Sequence, residues 1–220
     1  MSQALIARAR SRDDGEPRGA RGPDLGPVGG RAAADIALWV FIGCAGTLFT
    51  LFITAYVMRM DGTDWTPLGL PRQLFLSTAL LIGASVALQA AAVRAADGHA
   101  ANARTPLVLG GACGLAFLAV QLWAWGVLLA GQVVPQTGPA AGFFFLLTAM
   151  HGLHVTGGLA GWYATWRRNA HPDRYAADAR RRAVVLCARY WHFLLAVWIA
   201  LYATLAGVTP AIVGFVCGTR

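Results

Sequence analysis

The 220-residue chain contains no lysine; all eighteen of its basic residues are arginine. Acid is scarcer. There are ten acidic residues, nine of them aspartate, and the one glutamate, Glu16, stands near the N-terminus. No apolar run carries a glutamate, which excludes a carboxylate-bridged di-iron bundle built on Glu-x-x-His pairs. The four cysteines, Cys44, Cys113, Cys187 and Cys217, form no C-x-x-C or C-x-x-x-C pair. They read as small buried hydrophobes, with neither a disulfide framework nor a thiolate metal site expected. A Walker loop, a G-x-G-x-x-G turn and a nucleophile elbow are also missing. So are the intramembrane acids, broken helices and internal repeat of a transporter.

What the chain has in excess is apolar surface: 57% of residues are hydrophobic and the mean hydropathy is +0.53. Soluble domains sit at about 45–50%. The pattern predicts an all-α polytopic membrane protein, a five-transmembrane-helix bundle spanning residues 34–220, with spans at about 35–58, 72–93, 106–129, 143–166 and 183–208. Each is long enough, because ~20 apolar residues cross the ~30 Å hydrocarbon core. Asp35 is the expected N-cap of the first span. Residues 1–33 are rich in Arg, Gly and Pro, cannot bury a core, and are expected to be a disordered cytoplasmic tail rather than a secretory signal. Loops at 59–71 and 131–141 are broken by Pro and Gly; a short apolar end, Ala211–Cys217, follows Pro210.

The arginines orient the bundle. The tail and the links after the second and fourth spans hold fourteen, against three (Arg59, Arg72 and Arg220) on the opposite side. That asymmetry predicts a cytoplasmic N-terminus and an external C-terminus, and explains a pI of 10.2 without nucleic acid.

The fourth span, Phe143–Trp166, reads FFFLLTAMHGLHVTGGLAGWYATW and is the organising element. His151 and His154, three residues apart, share one helix face. A polar side chain in a bilayer turns toward protein, and the expected neighbour is the fifth span with Tyr190-Trp191-His192-Phe193. Two chemistries fit three intramembrane histidines. One is haem ligation by His192 with His151 or His154, as in a small b-type cytochrome. The other is interhelical hydrogen bonding, at about 0.6–2 kcal/mol per bond, which spacing alone favours. Gly157-x-x-x-Gly161 and Gly110-x-x-x-Gly114 read as close-packing motifs, Gln121 as a cross-helix hydrogen bonder, and Trp191 as an interhelical residue. Arg189 either snorkels to the cytoplasmic face or contacts a partner carboxylate or lipid.

Three stretches resemble subunit III of the haem–copper terminal oxidases: M-H-G-L-H-V-T-G-G in the fourth span, Y-W-H-F-L-L-A-V-W in the fifth, and F-L-A-V-Q-L-W-A-W in the third. Their order and spacing agree with that family over about residues 35–208, and five spans resemble its short bacterial members. The resemblance implies a non-redox accessory subunit of a cytochrome c oxidase. Haem and copper would lie in partner subunits I and II. This chain would stabilise the catalytic subunit, bind phospholipid and sustain proton uptake in aerobic electron transport. A quinol oxidase or a nitric oxide reductase complex would accept the same fold. Three membrane acids frequent in the family are absent here, their positions being Ala45, Ala124 and Leu195. No role running through those carboxylates carries over.

Overall fold

A computed structural model of the chain describes residues 27–60, 62–97 and 102–207, with side chains from residue 33 onward. The described residues form five long helices: α1 (Pro27–Arg59), α2 (Gln73–Ala96), α3 (Arg104–Ala130), α4 (Pro139–Ala170) and α5 (Ala177–Gly207), with one 3-10 turn, Pro172–Arg174, before α5. All five are long and apolar enough to cross a membrane. A helix satisfies its own backbone polar groups, which lipid cannot do. The helices outrun the apolar stretches because the backbone ladder continues into the polar links. α1 starts at Pro27, a favoured first helical position, eight residues before the expected cap at Asp35. The remainder of the expected disordered tail (1–26) and the end after α5 lie outside the described residues. The chain divides into two units, 1–36 and 37–220, the first represented only by the opening turns of α1. The packing below is that of the second unit.

Helices α2, α3, α4 and α5 close a ring in that order, each antiparallel to the next. Phe75 packs on Tyr202, Trp198 Nε1–H donates to Thr78 Oγ1 (2.9 Å), and Ser85 meets His192; these three levels set the α2–α5 register. Trp125 Nε1–H donates to Thr148 Oγ1 (3.1 Å) at one end of the α3–α4 seam, and Trp162 Nε1–H to Leu107 O (2.7 Å) at the other. The core between them is led by Trp191, Trp198, Phe117, Phe144 and a set of leucines, all fully buried.

The centre of this packing is a glycine face on α3. Trp162 lies against Gly111, Trp191 against Gly114, and Leu88 against Gly110, where a methyl group would stand 2.6 Å from Leu88 Cγ. Between apolar helices in lipid, close packing replaces the hydrophobic drive, so small residues at these crossings matter.

α1 stands apart from the ring. Only 11% of its apolar window is buried, against 39–44% for the other four. It lies over the α4–α5 seam and is held by aromatic rings: Phe41 against His154 and Tyr190, Phe49 against His151 and His154, and Tyr56 against Phe143. Its hydroxyls at Thr47, Thr50 and Thr54 donate to carbonyls one turn back (2.9 Å each), so its outer faces ask nothing of a neighbour.

Candidate functional site

His151 is fully buried inside the bundle, with Phe49, Phe117 and Trp198 around it at ring-centroid distances of 6.1, 5.7 and 5.1 Å. Neither ring nitrogen has a hydrogen-bond partner among the described residues. His154, one turn along, contacts its own helix instead: Nδ1 lies 2.8 Å from Met150 O. The polar link between α4 and α5 uses the backbone of His154, whose carbonyl accepts from the Tyr190 hydroxyl (3.0 Å).

His192 differs from its expected place. It faces α2, not α4, and both its nitrogens are engaged there: Nδ1 with Ser85 Oγ (2.5 Å) and Nε2 with Gln89 Oε1 (3.0 Å). Gln89 accepts through Oε1, so Nε2 carries the proton and Ser85 donates to Nδ1. The three histidines therefore do not form the α4–α5 clasp read from their spacing. In the alternative b-type cytochrome reading His192 would be the haem ligand opposite His151 or His154, and here it is committed to another helix. The reason is angular. On α5, His192 lies one residue from Trp191, which turns about 100° away into the core, so the two cannot serve the same neighbour.

Other expected contacts divide in the same way. Trp191 is buried and interhelical, wedged on Gly114 beside Leu159. Gly157 and Gly161 face outward, with nothing within 4 Å of the place a methyl group would take; the glycine of α4 that meets α5 is Gly158, against Leu194 and Tyr190 at 3.0 Å. Gln121 is buried, but neither amide atom finds a partner among the described residues, so it makes no cross-helix bond here. Arg189 is exposed on α5 and forms no ion pair among them. The positions of the missing acids are apolar and enclosed: Ala45 and Ala124 are buried and Leu195 is half-buried.

Sequence reasoning missed Ser85, Gln89, Thr78 and Trp162. A signal existed for the first two: a serine and a glutamine one turn apart inside an apolar span share a face and need a polar neighbour. Among the described residues no group of three or more His, Cys, Asp or Glu is placed to hold a metal ion. What the arrangement provides is a rigid, aromatic-packed scaffold with one polar cluster at its α2–α5 surface.

No family model matches the chain. Curated proteins do. A probable cytochrome c oxidase subunit 3 of Mycobacterium leprae is 31% identical over 187 residues, covering 83% of this chain and 88% of that one. Cytochrome c oxidase subunit 3 of a Synechocystis species is 29% identical over 194 residues, covering 86% and 78%. Cytochrome bo(3) ubiquinol oxidase subunit 3 of Pseudomonas putida is 27% identical over 175 residues, covering 76% and 82%.

Proposed function

Because the chain belongs to the cytochrome c oxidase subunit 3 family, and so is an accessory subunit of a haem–copper oxidase, we propose that it works beside oxidase subunits I and II as a packing and lipid-holding partner. Its task is to keep the catalytic subunit active through repeated turnover in aerobic electron transport. The observation that carries this is the unfinished surface of the helices. α1 leaves most of its apolar face uncovered, and α4 presents Gly157 and Gly161 outward, so the bundle has more membrane-facing surface suited to close approach than it uses itself.

Cytochrome c is the proposed electron donor of the complex, supported by the names of the Mycobacterium leprae and Synechocystis relatives. The complex sits in a bacterial cytoplasmic membrane with the N-terminus inside, on the arginine asymmetry. The role does not run through membrane carboxylates of this subunit, since Ala45, Ala124 and Leu195 hold those places.

The test is oxygen consumption against time for the complete oxidase and for the enzyme depleted of this chain, at matched haem content. The depleted enzyme should start at a comparable rate, keep its haem spectra, and lose activity faster. Immediate and total loss would make the chain an essential catalytic part. Identical decay curves would remove the stabilising role.

A further inference from the structure

Arg189 stands well inside an apolar span, six residues beyond its start at Ala183, or about 9 Å of helix at 1.5 Å per residue. It is exposed on α5 and forms no ion pair among the described residues. A charge at such a depth normally faces protein and is paired there. His192, one turn on, is exposed beside it and spends both ring nitrogens on α2, on Ser85 Oγ (2.5 Å) and Gln89 Oε1 (3.0 Å). Ser85 is therefore level with His192 and, because the helices are antiparallel, Leu88 is level with Arg189. That places the Gln89 amide at the depth of Arg189. Its Oε1 is tied to His192, and its N–H groups find no acceptor among the described residues. Two donors, one of them charged, thus stand at one level on the outside of the bundle.

Deeper in the membrane the same face of α5 is small. Ala196, Ala200 and Ala203 are exposed and continue the line of Arg189 and His192 at steps of three and four residues, the spacing that keeps a seam on one helix face. Small residues let a second helix come close in lipid. The acceptor for the two donors has few possible sources. A head-group phosphate lies at the interface, level with Arg94, which is about 7.5 Å of helix nearer the surface than Gln89. The Gln89 amide, held by His192, does not follow it there. A second copy of this chain offers no acid at that depth, because its apolar runs beyond Asp35 contain none. A carboxylate on a different membrane-spanning chain meets both requirements.

We propose that the outer face of α5 docks a transmembrane helix of another oxidase subunit, and that this helix carries a carboxylate paired with Arg189 at the level of the Gln89 amide. An acid there accepts charge-assisted bonds from the guanidinium in a medium that strengthens them. The alanine seam lets the incoming helix lie close along α5 below that level. The Ser85–His192–Gln89 bonds hold α2 beside α5, so the amide stays at the edge of the docking face. This inference rests on the proposed function and adds to it the face and the chemistry of one contact.

The experiment places a photo-cross-linking residue at Ala196 in the intact oxidase and identifies the captured molecule by peptide mass spectrometry. The expected product joins this chain to one other subunit through a membrane-spanning peptide that contains Asp or Glu. Arg189→Glu should lower retention of the chain in the complex at least about tenfold, and replacing the captured acid by arginine should restore it. Arg189→Lys keeps the charge and should lose less. Ala200→Trp leaves every polar group in place and blocks the close approach, so it should also lower retention. Far-UV circular dichroism equal to the parent's shows that each variant is folded. Capture of lipid alone, of a second copy of this chain, or of a helix without an acid would each overturn the proposal. So would parental retention of both Arg189→Glu and Ala200→Trp. If the unaltered chain does not co-purify with haem-bearing subunits, the subunit assignment fails and the docking face with it; if it does and the variants match it, only the docking face fails.

Discussion

Two motifs of the same form, Gly110-x-x-x-Gly114 and Gly157-x-x-x-Gly161, should respond oppositely to alanine. At Gly114 an added methyl group would enter the ring of Trp191 and stand 3.2 Å from Leu159 Cδ2; Trp191 is fully buried and cannot retreat. Overpacking of that kind costs about 1–3 kcal/mol. At Gly157 and Gly161 nothing lies within 4 Å, so the same methyl meets no atom of the chain. Alanine is the better helix former by about 0.8–1 kcal/mol, which makes those substitutions neutral to stabilising. That propensity gain is common to Gly114, so the two classes should differ by the overpacking cost, about 1–3 kcal/mol, at least about fivefold in the ratio of folded to unfolded chain. The assay is unfolding of the full chain in mild detergent by added SDS, followed by tryptophan fluorescence and far-UV circular dichroism. Gly114→Ala as stable as the parent, or Gly157→Ala as damaging as Gly114→Ala, would refute the packing argument. If Gly157→Ala and Gly161→Ala keep the chain stable yet weaken its retention in the oxidase, the outward glycine face of α4 is a contact with a partner.

Further outcomes follow from single contacts. His151→Phe should be neutral or stabilising by about 1 kcal/mol in the same unfolding assay, because both ring nitrogens are unpartnered in an aromatic surround and an apolar ring of similar shape removes that penalty; a large loss would mean that the nitrogens are bonded after all. Tyr190→Phe removes the hydroxyl donated to His154 O and should lower stability by about 0.5–1.5 kcal/mol while leaving haem spectra of the assembled oxidase unchanged. Gln132 holds a left-handed backbone (φ 61°) in the turn after α3, so Gln132→Gly should raise stability by a few tenths to about 1 kcal/mol; a fall would show that the side chain matters more than the strain. The Asp64 carboxyl is held below the usual carboxylate range by its hydrogen bond from Arg59 (2.6 Å). Its contribution is present above the unfolded value of 3.8 and is lost as pH falls through the lowered folded value. Asp64→Asn should thus trail the parent slightly at neutral pH and match it in strong acid. Both side chains are exposed, so the gap should also shrink with salt.

The number of spans, their approximate limits and the family are legible in the residues themselves. An apolar run long enough to cross a bilayer has one low-energy form, the helix, because lipid offers its backbone no hydrogen bonds. The motifs around His151, His154 and His192 carry the family without any coordinate. Which face of each helix meets which neighbour is not legible. In a soluble bundle the buried face is marked by apolar periodicity; in lipid every face is apolar, so the pattern that would orient α1, α4 and α5 is erased. Two glycine pairs of identical spacing therefore read alike, and only the packing of Trp191 on Gly114 separates them from the uncovered Gly157 and Gly161. Spacing points His192 toward α4 because α4 holds the other histidines. The ring closure of α2 onto α5 brings Ser85 and Gln89 to it instead, and that contact spans more than a hundred residues of chain. Local sequence determined that these segments are membrane helices; the order in which four of them close a ring decided which polar groups meet, because a helix rotated by one residue, about 100°, offers a different partner at every level.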